Sequence, residues 1–194
     1  MSISNTLTAH QIHGRAIGAT FFAVFGSLWI GLALFARQTL NIATLGWLLM
    51  ILAVLLGMAA WVYRQGRLFT ALPNDPAQGR AFSLINAIQW IAVTLTAFTF
   101  VRLHLDAYIM SAITAIVGLH MFPLARLFRY RPHYLTGGLL CVWAAASAIF
   151  LPLDRMQGLT AMGTGILLIA SAYLTLALAA TTVRRAQRMS SVSC

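Results

Sequence analysis

Two of the four charged residue types are missing from this chain of 194 residues, which contains neither lysine nor glutamate. Acidic side chains are limited to three aspartates. A lysine Schiff base, an intramembrane glutamate relay and any site built from several carboxylates are therefore excluded. Charged residues make up 8% of the chain and apolar residues 60%, whereas soluble domains contain about 25% charged residues. This composition excludes an ordinary water-soluble fold.

Cysteine is scarce as well, since Cys141 and Cys194 are the only two thiols. Neither belongs to a CxxC pattern or to a cysteine–histidine metal spacing. His104 and His120 fall at different depths of the predicted helices, so they do not suit a bis-histidine haem. The arginines punctuate the chain instead of forming one basic stripe, which argues against nucleic-acid binding. We therefore expect no metal, no cofactor and no nucleic-acid partner.

The chain is instead rich in long apolar runs. Six stretches free of arginine and aspartate each reach the roughly 20 residues that a helix needs to cross a bilayer. Runs such as residues 47–58 (WLLMILAVLLGM) do not alternate polar with apolar residues, as barrel strands would. We predict an all-α fold, a polytopic membrane protein in which residues 1–194 form one six-transmembrane-helix bundle. The predicted helices cover residues 17–35, 43–63, 82–101, 107–127, 134–153 and 159–183.

The distribution of arginine predicts the orientation of these helices. With six spans, ten arginines fall on the side of the two termini and three fall on the opposite side. Because arginine is enriched in cytoplasmic loops, both termini are predicted to be cytoplasmic. We expect a multi-pass protein of a bacterial inner (plasma) membrane, with the lipid bilayer as its first partner.

His120 is the only ionisable side chain, apart from a thiol, that falls well inside a predicted span. Pro123 follows three residues later and removes the hydrogen bond to the carbonyl of Leu119, which predicts a break in this helix. Depth matching across the hairpin of helices 3 and 4 places Asn86 and Gln89 near His120. Intramembrane polar residues either mark a functional site or hold helices together, and both interpretations stay open here.

Two further patterns lie near the helix ends and in the last two helices. Arg126, Arg129 and Arg131 alternate with aromatic residues, so they are candidates for binding lipid headgroups, although topogenic charge explains them too. Small residues recur every four positions in helices 5 and 6, as in the set Gly137, Cys141 and Ala145. Such faces let helices approach closely, either within one bundle or between protomers.

The segment 118–127 (GLHMFPLARL), followed by residues 134–138 (YLTGG), resembles a group of small uncharacterised bacterial integral membrane proteins. Members of that group carry a segment of the type GLHFxPLAxxF, then a tyrosine and a TG pair. Met121 departs from the pattern, because an aromatic residue is usual there. The resemblance covers about one and a half helices and implies a six-helix membrane protein, but it implies no substrate.

The function that these patterns favour is a non-enzymatic membrane module, either an accessory subunit of a membrane complex or a self-assembling helical bundle in which helices 5 and 6 make contacts. The acid, base and nucleophile sets of common enzymes are missing, which argues against catalysis. The alternative is a small permease or channel with a polar site around His120, Asn86 and Gln89. A homo-oligomer is compatible with either function.

Overall fold

The computed structural model describes residues 9–69 and 76–192, and within these ranges the chain is all-α, without a strand. Six helices are long and apolar enough to cross a membrane, so the six-helix prediction is confirmed at this level. Two short 3₁₀ turns, Gly66–Leu68 and Asp106–Tyr108, lie in the connections. The helices are α1 Ala9–Ala36, α2 Ile42–Gln65, α3 Pro76–Arg102, α4 Ile109–Leu127, α5 Pro132–Phe150 and α6 Leu153–Val192.

Several helices extend beyond the bounds predicted from hydropathy. α6 starts before residue 159 and continues past residue 183, and α1 starts well before residue 17. Hydropathy reports only the part of a helix that suits hydrocarbon, whereas the backbone hydrogen bonds continue into polar flanks. α4 and α5 are the exceptions, because α4 starts at Ile109 instead of 107 and α5 ends at Phe150 instead of 153. Leu151 precedes Pro152 and is extended, with ψ of 140°, since a following proline disfavours the helical region.

The helices alternate in direction, as contacts at both ends of the bundle show. At one end the His13 ring stacks on Tyr63 with 4.3 Å between centroids, and Gln78 Nε2 donates to the Leu127 carbonyl at 3.1 Å. At the other end Gln157 Nε2 donates to the Asp106 carbonyl at 2.8 Å. We call the first end the arginine-rich end, because ten of the thirteen arginines lie toward it in the sequence.

The core is formed unequally by the six helices. α1 packs closely along α6, and α4 packs closely along α5, while α2 lies against α1 and α6. α3 is peripheral, packs mainly on α4, and contains no buried residue. The fully buried apolar side chains, such as Leu140 and Leu176, belong to the four central helices α1, α4, α5 and α6 or to α2.

Pairs of glycines set the two closest helix crossings. A Cβ atom placed on Gly165 of α6 would lie 2.7 Å from the Gly26 carbonyl oxygen of α1. A Cβ atom on Gly137 of α5 would lie 2.7 Å from the Gly118 carbonyl oxygen of α4. Real Cβ contacts do not become this short, so only glycine fits. These small residues therefore serve contacts inside the bundle, and Cys141 belongs to the same crossing.

Three helices end in the same tight turn without a glycine. Gln38, His104 and Arg129 follow α1, α3 and α4 with positive φ values of 55°, 56° and 49°. The next residue closes each turn by a hydrogen bond to a carbonyl five positions back, as Tyr130 does to Ala125 at 3.0 Å. This is the Schellman arrangement, in which glycine is usual. The turn at Arg129 brings α5 directly back against α4.

Substituting Gly165 with alanine should destabilise the bundle, because the new methyl group would meet the backbone of α1. We expect a loss of about 1–3 kcal/mol, as for other overpacked cores, measured as a fall in the thermal unfolding midpoint in one detergent. Gly138→Ala is the matched control, since a Cβ atom there has no neighbour within 4 Å. Equal midpoints for the two variants would contradict the proposed crossing.

Candidate functional site

His120 lies on α4 with only 9% of its surface exposed, so it faces protein instead of lipid. The backbone of Ile85 on α3 lies beside its ring. Pro123 lies inside α4, which continues as one α-helix to Leu127, so residue 123 does not interrupt the helix. The Leu119 carbonyl still lacks its usual intrahelical donor, because proline has no N–H group.

Asn86 and Gln89 lie on the half-buried side of α3, but they do not join His120 in a hydrogen-bonded cluster. Asn86 Nδ2 donates to the carbonyl of Phe82 in its own helix at 2.9 Å. Within residues 9–69 and 76–192, the side-chain amide of Gln89 makes no hydrogen bond. The three polar side chains that were predicted to cluster are therefore not joined by hydrogen bonds: the His120 ring is buried, and the two amides lie separately on α3.

A second buried histidine, His133, lies near the start of α5, and sequence reasoning missed it as a site residue. His133 is 9% exposed, and its charge would interact with that of His120. Its ring lies edge-on to Tyr130 at 4.9 Å and to Phe22 of α1 at 5.5 Å, measured between centroids. We call His120, His133, Tyr130 and Phe22 the histidine cluster.

A helical pattern could have indicated His133. It precedes Thr136, Gly137 and Leu140, which are all buried, at spacings that keep one face of a helix toward the core. The neighbouring arginines masked this signal, because residues 126–133 (RLFRYRPH) have the composition of a membrane interface. The three arginines of this segment, Arg126, Arg129 and Arg131, are indeed exposed. Tyr130 and His133 of the same segment are buried.

Three buried polar atoms have no hydrogen-bond partner in the described part of the chain: Ser27 Oγ, Tyr130 Oη and His133 Nδ1. The guanidinium carbon of Arg15 lies 5.0 Å from the centroid of the Tyr130 ring. This cation–π contact holds the half-buried cation over the cluster. Each unpaired buried polar group costs roughly 1–3 kcal/mol, so the cluster is the least satisfied part of the core.

Pairs of hydroxyl groups form a second polar feature, between α4, α5 and α6. Ser111 Oγ lies 2.9 Å from Ser147 Oγ, Thr114 Oγ1 lies 2.8 Å from Thr164 Oγ1, and Thr136 Oγ1 lies 2.9 Å from Ser171 Oγ. In each pair, one hydroxyl can accept a hydrogen bond from the other and donate its own proton to a carbonyl of its own helix. These hydroxyl pairs satisfy each other and join neighbouring helices, a common use of serine and threonine in membranes.

The hydroxyl pairs do not form a continuous polar file through the bundle. Thr164 and Ser171 are two helical turns apart on α6, and buried Leu168 lies between them. Leu140 occupies the same level on α5, one turn beyond Thr136, and is fully buried. The two leucines therefore separate the outer hydroxyl pairs from Thr136, Ser171 and the histidine cluster.

An open groove of about 630 Å³ lies on the surface of α4 near the arginine-rich end. We call it the Pro123 groove. Its walls come from α3 and α5, and His120 is not among the residues that line it. The lining residues are Ile85, Phe122, Pro123, Arg126, Leu127 and Tyr134.

Comparison with protein-family models, curated proteins and solved structures found no match to this chain. The resemblance of residues 118–127 to small uncharacterised bacterial membrane proteins therefore stays a prediction.

Removing the Tyr130 hydroxyl tests the description of the histidine cluster. Tyr130→Phe should stabilise the protein by about 1 kcal/mol, because it deletes a buried O–H without a partner and keeps the aromatic face under Arg15. Thermal unfolding in detergent measures this gain, with Tyr173→Phe on the exposed surface of α6 as the control. A lower unfolding midpoint for Tyr130→Phe would mean that the hydroxyl has a hydrogen-bond partner, and would contradict this prediction.

Proposed function

We propose that this protein is a non-enzymatic integral membrane module, either an accessory subunit of a membrane complex or a self-assembling helical bundle, with α3 as its contact helix. The observation that carries the proposal is the exposed position of α3. No residue of this 27-residue helix is buried. It packs mainly on α4, and it carries the amide side chains of Asn86 and Gln89 in its apolar part.

Gln89 gives α3 a reason to acquire a partner. It lies halfway along the span Pro76–Arg102, and within the described ranges its amide has no hydrogen bond. Transferring an amide from water to hydrocarbon without a partner costs roughly 4–8 kcal/mol. A facing helix with one acceptor or donor would offset part of this cost. Amide side chains are established contacts between transmembrane helices.

This proposal moves the contact surface away from helices 5 and 6, where the sequence placed it. Gly137 and Gly165 are occupied by α4 and α1 of the same chain. Their small side chains are therefore explained by packing within the bundle. On α3, exposed Leu84, Ile88 and Leu95 form an apolar surface, and Gln89 lies on the other, half-buried side of the helix.

The alternative, a small permease or channel around His120, Asn86 and Gln89, has less support. A solute path needs polar groups or space along the whole bundle. Leu140 and Leu168 interrupt the polar side chains, and they are 0% and 2% exposed. His120→Ala would abolish a solute flux under this alternative, while leaving insertion of the protein normal.

The orientation of the module belongs to the same proposal. The excess of arginine at the arginine-rich end supports a cytoplasmic location for that end, and for both termini. A bacterial inner membrane suits this asymmetry. Arg37, Arg102 and Arg155 would then face the opposite compartment.

Photo-crosslinking in native membranes tests the role of α3. A photoreactive residue at Val93 of α3, one turn from Gln89 on the same side of the helix, should form an adduct, whereas one at exposed Ile166 of α6 should form much less. Gln89→Leu should weaken the association about three- to thirtyfold, as expected for one interhelical hydrogen bond in a membrane. An adduct of twice the chain mass indicates self-assembly, and another mass indicates a complex partner.

Asn86→Leu is the matched control, because Asn86 already donates to the Phe82 carbonyl of its own helix. It removes an amide one turn away and should leave the α3 adduct in place. Adducts that form equally at Ile166, or that persist unchanged in Gln89→Leu, would refute α3 as the contact helix.

A further inference from the structure

The Pro123 groove combines an apolar wall with a single cation at its end. Phe122 and Pro123 of α4 line its length, and the rings of Phe122 and Tyr134 lie 6.0 Å apart between centroids. Arg126 follows one helical turn later, in the last turn of α4. Gln78 binds the Leu127 carbonyl at 3.1 Å and fixes α3 over this end.

Arg126 is exposed and has no carboxylate partner among the described residues. The one ion pair within residues 9–69 and 76–192 joins Asp154 and Arg155, at the opposite end of the bundle. Exposed Arg129 and Arg131 lie in the adjoining turn. The end of the groove is therefore positively charged without internal compensation.

The direction of the groove matches the layers of a bilayer. At 1.5 Å per residue, Phe122 lies about 6 Å deeper along α4 than Arg126. An amphiphile with a negative headgroup at Arg126 would thus place its chain on Phe122 and Pro123. The volume of about 630 Å³ falls in the range of small-molecule sites, roughly 300–1,000 Å³.

We propose that the Pro123 groove binds one anionic phospholipid, whose phosphate contacts Arg126 and whose acyl chain lies against Phe122, Pro123 and Ile85. Arg129 and Arg131 attract anionic lipid to the surface in general, and Arg126 selects the lipid that occupies the groove. This site does not require α3 to be a contact helix, because Arg126 belongs to α4 and Ile85 lies on the half-buried side of α3.

Native mass spectrometry of the full chain released from detergent tests this site, with phosphatidylglycerol and phosphatidylcholine as the two probes. One phosphatidylglycerol should be retained preferentially. Arg126→Gln should lower its occupancy roughly fivefold, as expected for one arginine beside an anionic lipid. Arg129→Gln, an equally exposed arginine outside the groove, should lower it less. Equal losses in the two variants, or equal retention of both lipids, would overturn the proposal.

Two further arms separate a lipid site from a simple phosphate site. Soluble glycerol phosphate should fail to displace the retained phosphatidylglycerol, because it lacks the chain that the groove holds. Ile85→Trp, which narrows the groove without altering its charge, should reduce phosphatidylglycerol retention. Displacement by glycerol phosphate, or unchanged retention in Ile85→Trp, would show that the groove does not hold the acyl chain and would overturn the proposal.

Discussion

Close backbone approach at two pairs of glycines is the constraint on which the rest of this bundle depends. Gly26 with Gly165, and Gly118 with Gly137, allow α1 to meet α6 and α4 to meet α5. In a bilayer no hydrophobic effect drives helices together, so van der Waals packing and interhelical hydrogen bonds must do so. The hydroxyl pairs between α4, α5 and α6 supply the second of these forces. The tight turn through Arg129 keeps α4 and α5 aligned for both.

The number and type of helices follow from composition, because hydrocarbon requires long apolar helices and charge is confined to their ends. Which helices form the core does not follow from composition. All six are apolar around most of their circumference, so hydropathy alone gives no inward face. The glycine at 137 marked a close contact in the sequence, but only the fold shows that its partner is Gly118 of the same chain.

The candidate site was predictable in part. A histidine inside an apolar run singles out His120, whereas His133 was hidden in an arginine-rich segment that has the composition of an interface. Asn86 and Gln89 share the half-buried side of α3, yet Asn86 turns to its own backbone. Depth matching fixes the level of a side chain and leaves its direction free. The groove at Pro123 is a property of three helices together, so no single segment indicates it.

We propose that the polar side chains of this bundle serve packing and contact, and that its core is closed to water. Cys141 lies at the crossing of Gly118 and Gly137, on the level of Leu140 that separates the polar groups. Alkylation by a membrane-impermeant maleimide measures water access there, in a Cys194→Ser variant reconstituted in vesicles. Cys141 should stay unmodified from both sides of the membrane until the protein is denatured. Rapid labelling from either side would contradict it and favour a conduit.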